Sequence, residues 1–232
     1  MGRYLDFDVM KIGSSGDDLL FVMGYGNDFG NPGIKWTIEW LESIPFRTRL
    51  VRIPTGFTDF RSQVIDPLQK IADDLSDLIL ISHSFGSLAA SYVKGARRNI
   101  YIGPYWGVPP HKTSPFLDRI VRFMGRSRIS LIPRGFEYPD LGDAAVERDI
   151  ATVPKTLSFA TLNQLLDHLE NLPPPRKRDI VYYDPDDRII DTDAVRNRGI
   201  EIREYTGGHC PFTVKDRDRL FKDVLDLISE NY

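Results

Sequence analysis

Residues 78–90, LILISHSFGSLAA, decide the reading of this chain. Residues 78–81 form an apolar run without alternation, as a strand covered on both faces would, and Leu88, Tyr92 and Val93 then recur at the spacing of a helix face packed on a sheet. Between strand and helix the chain must reverse within a few residues. A turn that tight holds its central residue in a strained backbone conformation and needs small residues two before and two after it. Ser84 is that central residue, with Ser82 and Gly86 on either side, so Ser84 is a candidate nucleophile. Serine also favours helix N-caps, and either serine could serve only in that capacity.

Outward from this turn, strands and helices alternate. Leu5, Phe7 and Val9 alternate with polar residues and predict an outer strand with one solvated face. Residues 19–23 predict a strand buried on both faces, ending at Gly24-Tyr25-Gly26-Asn27. Trp36 and Trp40 lie on a helix face over residues 34–44, residues 50–53 read as a strand, and residues 64–75 read as a helix in which Asp66-Pro67 marks a cap or a kink. Later strands are expected at 100–102, 180–183 and 200–205, and a last helix carries Leu220, Phe221, Val224, Leu225 and Ile228. The order predicts an α/β fold with a mostly parallel central sheet and helices on both faces.

Between Pro104 and Arg178 roughly 70 residues separate two strands that would otherwise need only about 20. Ser114-Pro115 starts one helix there, with Leu117, Ile120, Val121 and Met124 on its face and Gly125 at its end; Leu162, Leu165, Leu166 and Leu169 mark a second, closed by Pro173 to Pro175. The expected organisation is therefore a core of residues 1–104 and 176–232 with a helical cap, 105–175, inserted before the penultimate strand, over the crevice where open α/β sheets bind ligands.

Composition narrows the function. With 232 residues the chain suits one α/β domain, and its 30 basic and 33 acidic side chains give a net charge of −3, without the basic excess of a nucleic-acid binder. The single cysteine, Cys210, excludes an intramolecular disulfide and fits a reducing cytosol. No C-x-x-C or H-x-x-x-H spacing marks a metal site, and no cofactor is expected. MGRYLDFDVM has acids where a signal peptide needs an apolar run, Asp6 stands where myristoylation wants Ser or Thr, and no stretch approaches a membrane span. A cytoplasmic protein acting on a small molecule is expected, with its oligomeric state undefined.

A serine nucleophile needs a neutral imidazole oriented by a carboxylate. Of the four histidines, His83 adjoins Ser84 across a sharp turn and flanks it, while His111 and His168 fall in the insertion. His209, in Thr206-Gly207-Gly208-His209-Cys210-Pro211 after the last strand, is the expected base. The acid is expected in Asp184-Pro185-Asp186-Asp187-Arg188: Asp187 first, because Ile189 and Ile190 anchor it, and Asp184 second. An oxyanion needs backbone donors, expected from Phe85, directly after the nucleophile, and from Tyr25 in the Gly24-Tyr25-Gly26 turn. That turn lacks the third glycine and the Lys-Ser/Thr of a phosphate loop.

Through GYG at 24–26, SHSFG at 82–86, DPDDR at 184–188 and GGHCPF at 207–212, nearly the whole chain resembles the α/β-hydrolase superfamily. The resemblance implies the order nucleophile, acid, histidine, with Ser84, Asp187 and His209 in those places. SHSFG is similar to the GHSxG of many esterases, lipases and thioesterases. The departures are Ser82 for Gly, Asp184 where Gly is common, and Met23 where a His often precedes the oxyanion glycine. The expected function is a serine hydrolase of the carboxylesterase kind, cleaving a small to medium, apolar ester through an acyl-enzyme on Ser84. Amide, peptide or carbon–carbon hydrolysis, acyl transfer, and ligand binding without catalysis stay open beside it. Trp106, Phe116, Phe123 and Phe136 are candidates for an apolar acyl pocket or for cap-to-core packing.

Overall fold

The computed structural model of the protein describes residues 6–109, 115–126, 136–137, 156–211 and 217–229. In chain order its elements are β1 (Asp8–Ile12), β2 (Asp17–Val22), α1 (Pro32–Ser43), β3 (Phe46–Arg52), a π-helical turn (Arg61–Ile65) continuing into α2 (Asp66–Asp73), β4 (Ile79–His83), α3 (Phe85–Ala90) and β5 (Arg98–Ile102). Then follow α4 (Pro115–Arg126), β6 (Phe136–Glu137), β7 (Thr156–Leu157), α5 (Phe159–Glu170), β8 (Ile180–Tyr183), α6 (Thr192–Arg196), β9 (Glu201–Glu204) and α7 (Arg217–Ser229).

Seven strands form one sheet in the order β1-β3-β2-β4-β5-β8-β9. Only β1 runs antiparallel to its neighbour. Strand β2 lacks alternation because both its faces are covered. Leu20 and Val22 join a core with Val51, Leu80, Tyr101 and Val181 beneath α2 and α3, whereas Leu19 and Phe21 join Leu50, Ile81, Ile100 and Ile180 beneath α1 and α7. Trp36 and Trp40 of α1 both meet Phe221 of α7 edge-on, so two helices distant in sequence share one face of the sheet.

The topology fixes where a ligand can bind. From β2 the chain moves outward to β3, then returns across β2 to β4, so the carboxyl ends of β2 and β4 flank the crevice where connections leave in opposite directions. The Gly24 turn follows one and Ser84 follows the other.

Several local expectations change. The outer strand begins at Asp8, in register with Arg52 of β3, and both its faces are partly covered, Val9 packing on one core and Met10 on the other. Pro67 sits near the start of α2 directly after the π turn, so Asp66-Pro67 marks a change of helical pitch: proline supplies no N–H, and the wider turn absorbs it. Helix α3 ends at Ala90, with Tyr92 and Val93 in the turn that follows. Gly125 lies within α4 and does not end it; a Cβ there would come within 2.5 Å of Asn163 Cβ, so its role is the close crossing of α4 on α5. Leu5, His111, Ser114, Phe212 and the side chains of Leu117 and Phe136 lie outside the described residues.

Candidate active site

Strand β4 delivers Ser84 to the crevice in a backbone conformation that few L-residues adopt, φ 52° and ψ −125°. The strain is held by packing on every side. The Ser84 amide donates to Ile102 of β5 at 3.0 Å, and its carbonyl accepts from Ser87 and Tyr105. A Cβ on Gly86 would stand 2.5 Å from the Met23 carbonyl oxygen and 2.6 Å from that of Val22, so this position admits only glycine. Ser82, buried, donates its hydroxyl to Ser87 Oγ at 3.1 Å, tying the strand to the first turn of α3 where a glycine would leave Ser87 without this contact. Ser84 occupies the N-cap position of α3, but its side chain makes no capping bond. Its hydroxyl is engaged elsewhere.

Ser84 Oγ lies 2.7 Å from His209 Nε2, and His209 Nδ1 lies 2.7 Å from Asp187 Oδ2. A carboxylate can only accept, so Nδ1 carries the proton and Nε2 presents a lone pair to the serine hydroxyl. All three residues are buried. Burial pushes the Asp187 carboxyl upward, but the His209 ring and the amides of Ile189 and Ile190 outweigh it, leaving its pKa below the ordinary value. Asp187 Oδ1 accepts from the Ile189 amide at 2.7 Å, which orients the other oxygen to the ring.

The two candidate carboxylates of this loop separate. Asp184, also buried, turns away from the imidazole: Oδ2 accepts from the amides of Gly207 at 2.8 Å and Gly208 at 2.6 Å, and Oδ1 from that of Asp186 at 2.8 Å. His83 flanks the serine, as its sequence position implies, and also reaches the histidine loop, with Nε2 2.9 Å from the His209 carbonyl oxygen. Burial lowers the His83 pKa to about 3, so the ring is neutral and Nε2–H is the donor. His168 lies on α5, where its Nδ1 meets the Gln164 carbonyl one turn earlier, away from this group.

The model of the alpha/beta hydrolase family matches residues 22–223. The chain belongs to the alpha/beta hydrolase family. Solved structures agree on the fold of this hydrolase. Monoacylglycerol lipase from Paleococcus ferrophilus superimposes with a TM-score of 0.77 at 18% identity, over 97% of this chain and 99% of that one. A soluble variant of monoglyceride lipase from Saccharomyces cerevisiae gives 0.72 at 16%, over 98% and 94%. A carboxylesterase structure from Nitrososphaera gargenis gives 0.65 at 13%, over 99% and 100%. Comparison with curated proteins returns no match.

In this hydrolase the Gly24-Tyr25 turn runs against the serine: a Cβ on Gly24 would lie 3.1 Å from Ser84 Cβ. Tyr25 donates its hydroxyl to the Thr55 carbonyl, and Phe85 opens α3, where an amide has no carbonyl of its own helix to meet. Beside Ser84 the apolar surroundings come from the core loops. Phe57, Phe60, Phe85, Tyr25 and Tyr105 form one ring cluster, with Phe85 at its centre. Trp106 is buried edge-on to Tyr101 and donates its indole N–H to Ser91, so it packs the core. Phe116 and Phe123 on α4 are 73% and 71% exposed. Among the described residues no group of three or more His, Cys, Asp or Glu side chains is placed to hold a metal ion, and no helix is long and apolar enough to cross a membrane.

Proposed function

We propose that this member of the family is a serine hydrolase that cleaves a carboxylic ester, of small to medium size and apolar on its acyl side, through an acyl-enzyme on Ser84. The observation that carries this reading is the unbroken line Asp187, His209, Ser84, with 2.7 Å at each step. His209 Nε2 takes the Ser84 proton as Oγ attacks the ester carbonyl, and Asp187 stabilises the imidazolium that forms without accepting its proton. The negative oxygen of the tetrahedral intermediate falls to the amides of Phe85, next after the serine, and of Tyr25, in the turn that runs against it. The intermediate collapses, the C–O bond to the alcohol breaks, and His209 returns the proton to the leaving oxygen. Water then repeats the sequence on the acyl-enzyme and releases the acid.

Residues 105–175 act as the cap in this reading. The segment leaves the end of β5 beside the crevice, and α5 is fastened to the core by Thr161 Oγ1 donating to the Phe57 carbonyl at 2.7 Å and by the Phe60 amide donating to Gln164 at 3.2 Å. The solved neighbours named as monoacylglycerol lipase and carboxylesterase support an ester over an amide. A series of p-nitrophenyl esters of rising acyl length tests the proposal. Turnover by the wild type, lost in Ser84→Ala by about 10⁴-fold or more, is expected. Turnover of no ester of any length contradicts it.

A further inference from the structure

The imidazole must reach Ser84 and Asp187 at once from a loop built around two glycines. Gly207 and Gly208 have φ of 123° and 88°, so the turn depends on residues that give the backbone its widest freedom. Strands β8 and β9 end side by side, Tyr183 opposite Glu204, and the Tyr205 amide donates to the Tyr183 carbonyl at 3.1 Å. Beyond Tyr205 the ladder stops. What receives the next amides is a side chain: the Asp184 oxygen that accepts from both Gly207 and Gly208. Consecutive backbone N–H groups aimed at one anion form a nest, and here the anion is the chain's own carboxylate from the end of β8. With the Asp186 amide on its other oxygen, this buried carboxylate has three backbone donors.

We propose that Asp184 is a positioning residue for His209: its carboxylate fastens the Gly207-Gly208 turn to the end of β8 and so sets the reach of the ring to Ser84 and Asp187. This rests on the reading of those three residues as the catalytic triad. The sequence placed Asp184 as an alternative acid and as a departure from glycine; the hydrogen bonds give that departure a task. Asp184 aligns the base and touches neither substrate nor proton. Its loss should therefore lower the rate at each folded site without removing the site.

Fluorophosphonate labelling of Asp184→Ala and Asp184→Asn against wild type separates these quantities, since the final extent of labelling counts folded sites and the rate constant reports serine activation. Alanine removes every acceptor. Asparagine keeps one oxygen but turns its NH₂ against either the glycine amides or that of Asp186. The expected order of rate constants is Asp, Asn, Ala, with alanine slower by about 10- to 100-fold, full final labelling, and KM on a turned-over ester moved by less than about threefold. Equal rate constants in wild type and Asp184→Ala overturn the proposal and leave the triad standing. No labelling of the wild type overturns both. Should the variants fail to fold, amide exchange in the wild type decides: protected Gly207 and Gly208 amides support the clamp, and exchange at the rate of a free peptide overturns it.

Discussion

The strand and turn around Ser84 and the outer helix α4 are both short segments rich in apolar residues, and they behave in opposite ways. From Ile79 through Ala90 every residue is buried. On α4, Phe116 and Phe123 lie open to solvent while Val121 is buried. The first segment is specified by backbone geometry: a strand end, a positive φ, a glycine against two carbonyls. The second depends on where tertiary packing places each side chain. The position of each side chain can be read from the first kind of segment; in the second it waits on the packing.

The largest effect that would sharpen this contrast comes from Asp187→Asn. An amide opposite His209 Nδ1 favours the wrong tautomer, and kcat on a turned-over ester should fall by about 10⁴-fold. A drop of less than tenfold would remove Asp187 from the machinery. Gly86→Ala should cost about 3 kcal/mol in urea unfolding, because the new methyl meets backbone carbonyls that cannot move aside. A folded variant of wild-type stability would show that the turn is looser than these distances require.

His83 gives the next effect, and it depends on pH. Its folded pKa of about 3 is below the ordinary value of about 6.5, so the unfolded chain takes up a proton that the native ring refuses. Stability from this group is full above pH 6.5 and declines by about 1.4 kcal/mol for each unit of pH down toward 3. Asp187, whose pKa is also depressed, contributes in the same direction at lower pH, its share being lost as pH falls through its folded value. Urea unfolding at pH 7, 6 and 5 should show a steeper decline in wild type than in His83→Gln, whose side-chain N–H can still meet the His209 carbonyl. Parallel declines would contradict a buried neutral His83. The smallest effect belongs to α4: Phe116→Ser and Phe123→Ser should each shift unfolding by no more than about 0.5 kcal/mol. A loss of several kcal/mol would mean these rings pack as the turn at Ser84 does.

The same contrast explains how much could be read in advance. Strand and helix order followed from hydrophobic pattern, and Ser84, Asp187 and His209 from their places at strand ends, because those places are set by sheet topology. Ser82 was legible as a departure, but its bond to Ser87 required knowing that α3 starts on that side. Asp184 was legible as a carboxylate and illegible as a clamp, since three acids in five residues leave the direction of each undetermined until β9 is laid beside β8. Trp106 had the composition of a pocket residue; its burial against Tyr101 follows from the path of the chain after β5, which no local period encodes. Helix α6 escaped notice because five residues are too few to show a period, although Asp191 caps it by accepting from the Ala194 amide.

In the proposed reaction Asp187 and His209 activate Ser84 for attack on an acyl carbon. Fluorophosphonate labelling followed by mass-spectrometric mapping tests it most directly. A single phosphonylated residue, Ser84, is expected in the wild type, and no adduct in Ser84→Ala. An adduct on another residue, or equal labelling of the two proteins, would contradict it.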